Sequence, residues 1–249
     1  MSTNKHIVTV VIPCFNEAEG IAKVVEGFHK GHIAMEIFNF DILVINNNSK
    51  DDTANIARKA GARVIDELKP GKGNAMRTGF ANIHPNAEYV MMIDGDDTYK
   101  PKEALRLLEP LQSGFCDVVV GSRLGGKIRN GAMSSANRGG NWVFAHLVRI
   151  VYGLNLTDVF SGYFAWKRNV IEDLAPHLHS QGFAIEMEMI TKMARMDCEV
   201  YSVPITLDLR SGTSTLRPFH DGLRVLKMFA RNLTWHRREQ NVPNLEDEA

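Results

Sequence analysis

Tyr89-Val90-Met91-Met92-Ile93-Asp94-Gly95-Asp96-Asp97-Thr98 is the stretch on which the reading of the fold turns. Its apolar run has no polar alternation, which fits a strand buried on both faces of a parallel sheet. Ligands in open α/β sheets bind at the carboxyl ends of strands. Asp94 leaves such an end, Gly95 lets the chain turn, and Asp96 faces the same point. Two carboxylates this close repel each other unless a cation lies between them. Hard divalent ions such as Mg2+ or Mn2+ suit oxygen ligands and keep waters plus substrate phosphates. Asp94 and Asp96 are therefore candidate metal ligands. The plain alternative is a solvated acidic turn in which Asp97 or Thr98 caps the next helix.

Strands and helices alternate around this segment. Strands are expected at Ile7–Ile12, Asp41–Ile45, Ala62–Ile65 and Val118–Val120, and helices at Gly20–Lys30, Asp51–Ala60, Asn74–Ile83 and Lys102–Leu111. Continuous apolar runs separated by helices predict an α/β chain with a Rossmann-like, largely parallel sheet covered on both faces. The second half is less regular. Gly125–Gly140 reads as a mobile Gly/Ser/Asn-rich loop and Asn141–Tyr152 as an apolar helix. Val200–Leu207 reads as a strand whose Pro204 marks an edge or bulge. Phe219–Trp235 reads as an amphipathic helix, and the tail 239–249 is polar and acidic.

The composition is that of an ordinary soluble globular chain: 249 residues, 44% hydrophobic, 23% charged, formal net charge zero. A neutral balance argues against bulk nucleic-acid binding. Cys14, Cys116 and Cys198 have no metal-ligand spacing and are odd in number, which favours a reducing, cytoplasmic compartment. No stretch approaches the roughly 20 apolar residues of a spanning helix.

Three further polar loops fall at expected strand ends or before a helix: Pro13-Cys14-Phe15-Asn16-Glu17, Asn46-Asn47-Asn48-Ser49-Lys50-Asp51-Asp52-Thr53 and Lys69-Pro70-Gly71-Lys72-Gly73-Asn74-Ala75. Together with the acidic turn they predict a ligand cleft. Small amides and carboxylates suit a base and a ribose, and Lys72 suits a phosphate. Asn46–Asn48 is equally readable as a turn with Ser49 or Asp51 capping the next helix, and Gly71 and Gly73 as a plain loop. Neither a G-x-G-x-x-G fingerprint nor a P-loop frame is present.

In this order the four loops resemble the motifs of family 2 glycosyltransferases of the GT-A fold: P-x-Y-N-E, D-D-x-S-x-D-x-T, G-K-G-x-A and D-x-D. Here they read PCFNE, NNNSKDDT, GKGNA and DGD. The branch they look most like is the dolichol-phosphate mannosyltransferase and polyprenyl-phosphate sugar synthase branch. Val120-Gly121-Ser122-Arg123, Asp158-Val159-Phe160-Ser161-Gly162-Tyr163 and Arg210-Ser211-Gly212-Thr213-Ser214 match its later motifs. The resemblance covers about residues 7–235.

The resemblance implies one GT-A domain over 1–238, with a nucleotide-sugar half of about 1–121 and an acceptor half of about 122–238. It implies that Pro13, Phe15, Glu17, Asn46, Asn48 and Lys72 hold the nucleoside. Asp94, Gly95 and Asp96 would hold the diphosphate and its Mg2+ or Mn2+, while Arg123, Arg138, Arg210 and Ser214 would bind phosphate, with Asp94, Asp96, Arg123 and Arg210 central to catalysis. Three positions depart from the pattern. Asn46 replaces the first acid of D-D-x-S, Thr98 replaces a Gln or His, and Thr215 replaces a Lys.

The implied reaction is inverting transfer from a nucleotide diphosphate sugar, with UDP preferred over GDP, to a polyprenyl (dolichyl or undecaprenyl) phosphate. Phe219, Leu223, Leu226, Phe229, Ala230 and Leu233 form a stripe beside Arg224, Lys227 and Arg231, and Trp142–Val151 is a second apolar segment. A basic amphipathic helix fits an anionic membrane surface, although such a stripe ordinarily faces a core. The implied location is the inner face of the cell membrane, held peripherally, where an oligomer would anchor better. Competing readings are a family 2 enzyme with a soluble or glycan acceptor, a sugar nucleotidyltransferase and a non-catalytic sugar-nucleotide-binding subunit. The nucleotidyltransferase lacks support, because Pro13–Glu17 stands where its Gly-rich first loop belongs.

Overall fold

The structure, a computed structural model, describes residues 5–30, 34–212 and 218–236, with the backbone alone for 218–220. Ser214, Thr215, the side chain of Phe219 and the tail 239–249 lie outside the described residues. In chain order the elements are β1 (His6–Cys14), α1 (Ile21–His29), α2 (Ala34–Ile37), β2 (Phe38–Asn46), α3 (Thr53–Lys59), β3 (Arg63–Asp66), α4 (Lys72–Ala81) and β4 (Tyr89–Ile93). There follow α5 (Ala104–Gln112), β5 (Val118–Ile128), α6 (Ser135–Tyr152), β6 (Tyr163–Lys167), α7 (Arg168–Leu174), α8 (Ile185–Arg195), β7 (Val200–Leu207) and α9 (Pro218–Arg231).

One sheet takes all seven strands in the order β3-β2-β1-β4-β6-β5-β7. The pairs β1–β2, β1–β4, β2–β3 and β5–β7 are parallel, while β6 runs antiparallel to β4 and β5. The chain winds outward from β1 through β2 to β3, then returns to place β4 on the other side of β1. That reversal makes a crevice at the carboxyl ends of β1 and β4, the usual place for a ligand in such sheets.

Alternation along the buried strands feeds two cores. Val8, Val10 and Ile12 pack with Val24, Phe28 and Leu107 on the face covered by α1, α3 and α5. Val11, Val90 and Met92 pack with Met76, Ile190 and Phe229 on the face covered by α4 and α6–α9. Phe164 stacks on Trp166 at 5.2 Å, and Phe80 meets Trp166 edge-on at 5.6 Å. Full burial of such a ring is worth about 1.5–3 kcal/mol.

The expected mobile loop at 125–140 is corrected. β5 continues through Ile128, pairing with β7 after a register shift between Ser122 and Lys127, and α6 begins at Ser135. Gly139 and Gly140 lower helix propensity, but the Ser134 side chain accepts a hydrogen bond from Asn137 N at 3.1 Å and starts the helix. The second half also holds β6, α7 and α8, which periodicity did not reveal. Pro204 sits in β7, the edge strand of the sheet.

Candidate functional site

Parallel register sets the site. Cys14 pairs with Asn46 and Val11 with Met92, so the ends of β1, β2 and β4 lie side by side. Above them opens a cleft of about 800 Å3, lined by Pro13, Phe15, Glu17, Asn47, Lys72, Asp94, Gly95, Asp96, Arg123, Asn141, Glu186, Arg210 and Arg224 among others. The first loop is held from behind by the second. Asn16 N donates to Ser49 Oγ (3.0 Å), Glu17 N to Thr53 Oγ1 (2.9 Å) and Ala18 N to Asp51 Oδ2 (3.1 Å). Ser49, Asp51 and Thr53 thus shape the cleft without lining it.

Asn46 is the register partner of Asp66, and its Nδ2 donates to Asp66 Oδ1 at 2.7 Å. Asn48 accepts from Lys50 Nζ at 3.0 Å. Neither is part of the cleft lining, which takes Asn47 instead. The buried Asn47 amide donates to Lys69 O (2.7 Å) and accepts from Gly71 N (2.7 Å), tying the second loop to the third.

The two acids each carry an internal cation. Lys72 Nζ lies 2.8 Å from Asp94 Oδ1 and 2.7 Å from Glu186 Oε1, bridging both carboxylates. Burial alone would weaken this ammonium, but the two carboxylates outweigh burial and hold its pKa above the ordinary lysine range. Asp96, only 4% exposed, accepts from Thr98 N and Oγ1 (3.1 and 2.6 Å) and pairs with Arg210 Nη1 at 3.1 Å. Burial first, and the charge of Asp94 second, raise its pKa. Thr98, which stands where the resemblance expects Gln or His, therefore braces Asp96. Gly162 fits against Asp94 because a Cβ there would lie 2.0 Å from Oδ2.

Arg123 is anchored by Asp158, which is fully buried. Nε and Nη2 donate to the carboxylate at 2.7 and 2.9 Å, and Asn141 Nδ2 adds a third bond at 2.6 Å. Burial would raise the Asp158 carboxyl, but Arg123 and Asn141 overcome it and hold the pKa below the ordinary range. Arg138 lies apart from the main cleft, exposed beside Leu124 and Trp142 in a separate depression.

The third loop is clamped from the far side. Gln181 O accepts from Gly73 N at 2.9 Å, and a Cβ on Gly73 would sit 2.1 Å from Ser180 O. Glu186 and Asn47 are site residues that the sequence reading missed. For Glu186 a signal existed: Ile185-Glu186-Met187-Glu188-Met189 sets acids among methionines, and Lys192 follows Glu188 by one helical turn.

A family model described as glycosyl transferase family 2 matches residues 9–175. Glycosyltransferase AglJ of Haloferax volcanii is 36% identical over 91% of this chain and 72% of its own length. A dolichyl-phosphate hexose transferase of the same organism is 29% identical over 89% of this chain and 92% of its own. Glucosyl-3-phosphoglycerate synthase from Mycobacterium tuberculosis, solved with Mn2+, uridine diphosphate and phosphoglyceric acid, superposes with a TM-score of 0.72. It has 20% identity, over 93% of this chain and 79% of that one. The fold is of the GT-A type.

Glu17 gives the site a pH signature. Burial, with Asp96 and Asp94 nearby, outweighs the pull of Arg210 and pushes its carboxyl from 4.5 up to about 8. The folded chain thus holds this proton more tightly than the unfolded chain. Stability therefore falls as pH rises between those two values and levels off above. Urea unfolding of wild type and Glu17→Gln across that range is expected to show the variant gaining on wild type until about pH 8. A difference independent of pH contradicts this.

Proposed function

The chain belongs to glycosyl transferase family 2, and we propose that it moves a sugar from a nucleotide diphosphate sugar to a polyprenyl phosphate, with inversion. The observation that carries this is the pair of carboxylates at the switch point, ringed by Lys72, Arg123 and Arg210. Anions bearing several charges fit such a ring, and planar guanidinium groups match phosphate oxygens. A uridine rather than guanosine nucleotide is proposed, in keeping with the ligand of the solved structure of the same fold.

The donor set fits Mg2+ or Mn2+. Among the described residues no cluster of three His, Cys, Asp or Glu is placed to hold an ion. The chain thus offers Asp94 and Asp96, and diphosphate oxygens and waters would complete the shell, as these ions prefer. When bound, the ion supplies charge neutralisation at the leaving diphosphate. Pro13, Phe15 and Glu17 would contact the nucleoside, with Asn46 and Asn48 supporting the loop from which Asn47 faces the cleft. With the acids engaged, Lys72 and Arg210 would turn to phosphate oxygens the donors now spent on Asp94 and Asp96, while Glu186 and Glu17 still hold them.

Two of the three Arg123 nitrogens stay on Asp158, so the guanidinium is fixed in orientation before any phosphate arrives. A lipid phosphate oxygen, already anionic near neutral pH, attacks the anomeric carbon. The bond to the diphosphate breaks, and no strong general base is required. Positioning carries most of the rate. Arg138 and Ser214 are further candidates for the acceptor phosphate.

The acceptor's route is supported by α6 and α9, which both border the cleft through Asn141, Phe144, Arg224 and Val225. Of the expected stripe, Phe229 is buried, whereas Leu223, Leu226 and Ala230 on α9 and Leu233 just after it are exposed, with Arg224, Lys227 and Arg231 beside them; Val225 and Met228, outside that stripe, share the buried face with Phe229. On α6, Trp142, Val143, Ile150 and Val151 are exposed as well. An exposed apolar face with basic neighbours suits a peripheral site on an anionic membrane, here the inner face of the cell membrane. Among the described residues no helix is long and apolar enough to cross one.

Asp96→Asn keeps the shape that Thr98 grips but halves the negative charge of the pair. At saturating Mn2+, sugar transfer is expected to fall by about two orders of magnitude or more. Turnover near wild type would remove the metal role. Liposomes rich in phosphatidylserine are expected to carry the chain upward in flotation at low salt. Chain left at the bottom under those conditions would contradict the membrane-surface reading.

A further inference from the structure

Asn141 interrupts the buried stripe of α6. Asn141, Ala145, Val148 and Tyr152 follow one another at helical spacing, and the first three are buried. An apolar side chain would pack in place of Asn141 as Ala145 and Val148 do. The Asn141 side chain sits in a residue only 1% exposed, so its polar atoms need partners inside the protein. Both have one. Nδ2 donates to Asp158 Oδ1 at 2.6 Å, and Oδ1 accepts from Val159 N at 3.0 Å. The amide is thus spent on one loop, and on the carboxylate that holds Arg123.

Asp158, fully buried, gathers donors from β5, from α6 and from its own loop. Its Oδ2 accepts from Arg123 N at 2.9 Å and Arg123 Nε at 2.7 Å. Its Oδ1 accepts from Arg123 Nη2 at 2.9 Å, from Phe160 N at 3.2 Å and from Asn141. Nε and Nη2 form one edge of the guanidinium, so the carboxylate sets the direction of that edge. Nη1, the nitrogen that Asp158 does not take, moves with it. A turn of the Asp158 side chain would swing Nη1 through the cleft that Arg123 lines. Of the bonds to Oδ1, the one from Asn141 is the shortest.

Asn141 is also the first buried residue of α6. Every residue from Ser135 to Gly140 is exposed, and a Cβ on Gly139 or Gly140 would meet nothing within 4 Å. Trp142 and Val143, the next two residues, are exposed apolar side chains. A group seated on that outer face and a group held by Arg123 act on one short chain of bonds, from α6 through Asn141 and Asp158 to the guanidinium. A lipid phosphate carries both kinds of group, an apolar chain and an anionic head.

We propose that Asn141 is a positioning residue for the acceptor: by tying the Asp158 carboxylate to α6, it sets the direction in which Arg123 meets the phosphate of a lipid seated against that helix. This rests on the lipid-phosphate reading above.

The test measures steady-state transfer by the full chain with Mn2+, in wild type, Asn141→Ala, Arg123→Lys and the double variant. The donors are radiolabelled UDP-glucose, UDP-N-acetylglucosamine and GDP-mannose, and the acceptor is undecaprenyl phosphate in phosphatidylserine vesicles. Asn141→Ala is expected to lower kcat/KM for the lipid phosphate by about 10- to 100-fold and to leave the donor KM within about twofold. Arg123→Lys cannot make the paired edge. Adding Asn141→Ala to it is therefore expected to cost no more than about a further twofold. Equal losses in both backgrounds would mean that Asn141 acts apart from Arg123, and would overturn the proposal. So would an unchanged kcat/KM, or a donor KM that rises with that of the acceptor. If urea unfolding shows that Asn141→Ala does not fold, Asn141→Leu, which fills the buried stripe, takes its place in the same cycle. Wild type that labels the lipid from none of the donors would remove the lipid-phosphate reading itself, and this one with it.

Discussion

Everything at the head of this sheet answers to the repulsion between Asp94 and Asp96. Both carboxylates sit at the end of a fully buried strand, where water screens them poorly. The fold meets this with two cations drawn from distant parts of the chain. Lys72 arrives at the start of α4 and Arg210 just after β7, each against its own acid. Arg210 further joins Glu17 to Asp96, closing the first loop onto the last. A buried pair of this kind is costly to break from one side. Stability and ligand chemistry are therefore written into the same few residues, and a multiply charged anion with its divalent ion is the natural partner for them.

Close approach of backbones is the second requirement. Gly162 leaves room for the Asp94 carboxylate, and Gly71 and Gly73 leave room for the carbonyls of Gln181 and Ser180. Through these contacts the second half of the chain fixes groups contributed by the first. Arg123, Asp158 and Asn141 form a second network within the second half, in which the buried Asp158 carboxylate accepts from both side chains. The expected division into a nucleotide half and an acceptor half describes chain order better than it describes the cleft, whose lining alternates between the two.

Much of the first half was legible because it is built from buried parallel strands. Tyr89–Ile93 is continuous and apolar, has no competing period, and forms β4 with those bounds. Loop positions after β1 and β4 followed from strand ends alone. The second half was less legible for identifiable reasons. Gly139 and Gly140 masked the start of α6, which only the Ser134 cap betrayed. β6 buries Tyr163 and Ala165 on one face and Phe164 and Trp166 on the other, with Lys167 at its end, in a run too short to tell from a helix by pattern. α8 buries Glu186, Glu188 and Lys192 together, so its charges concealed a core helix. Within the second loop, residue-level placement was not legible: Asn46 is held by its register partner Asp66, and Asn47 lines the cleft.

The proposed transfer depends on the chemistry of that cleft, which α6 and α9 border. Its most direct test supplies Mn2+, radiolabelled UDP- and GDP-sugars, and a polyprenyl phosphate, then follows label into the organic phase. The account predicts organic-phase label that requires the lipid phosphate and the divalent ion. Label that stays in the aqueous phase with every donor, lipid phosphate present, would contradict it.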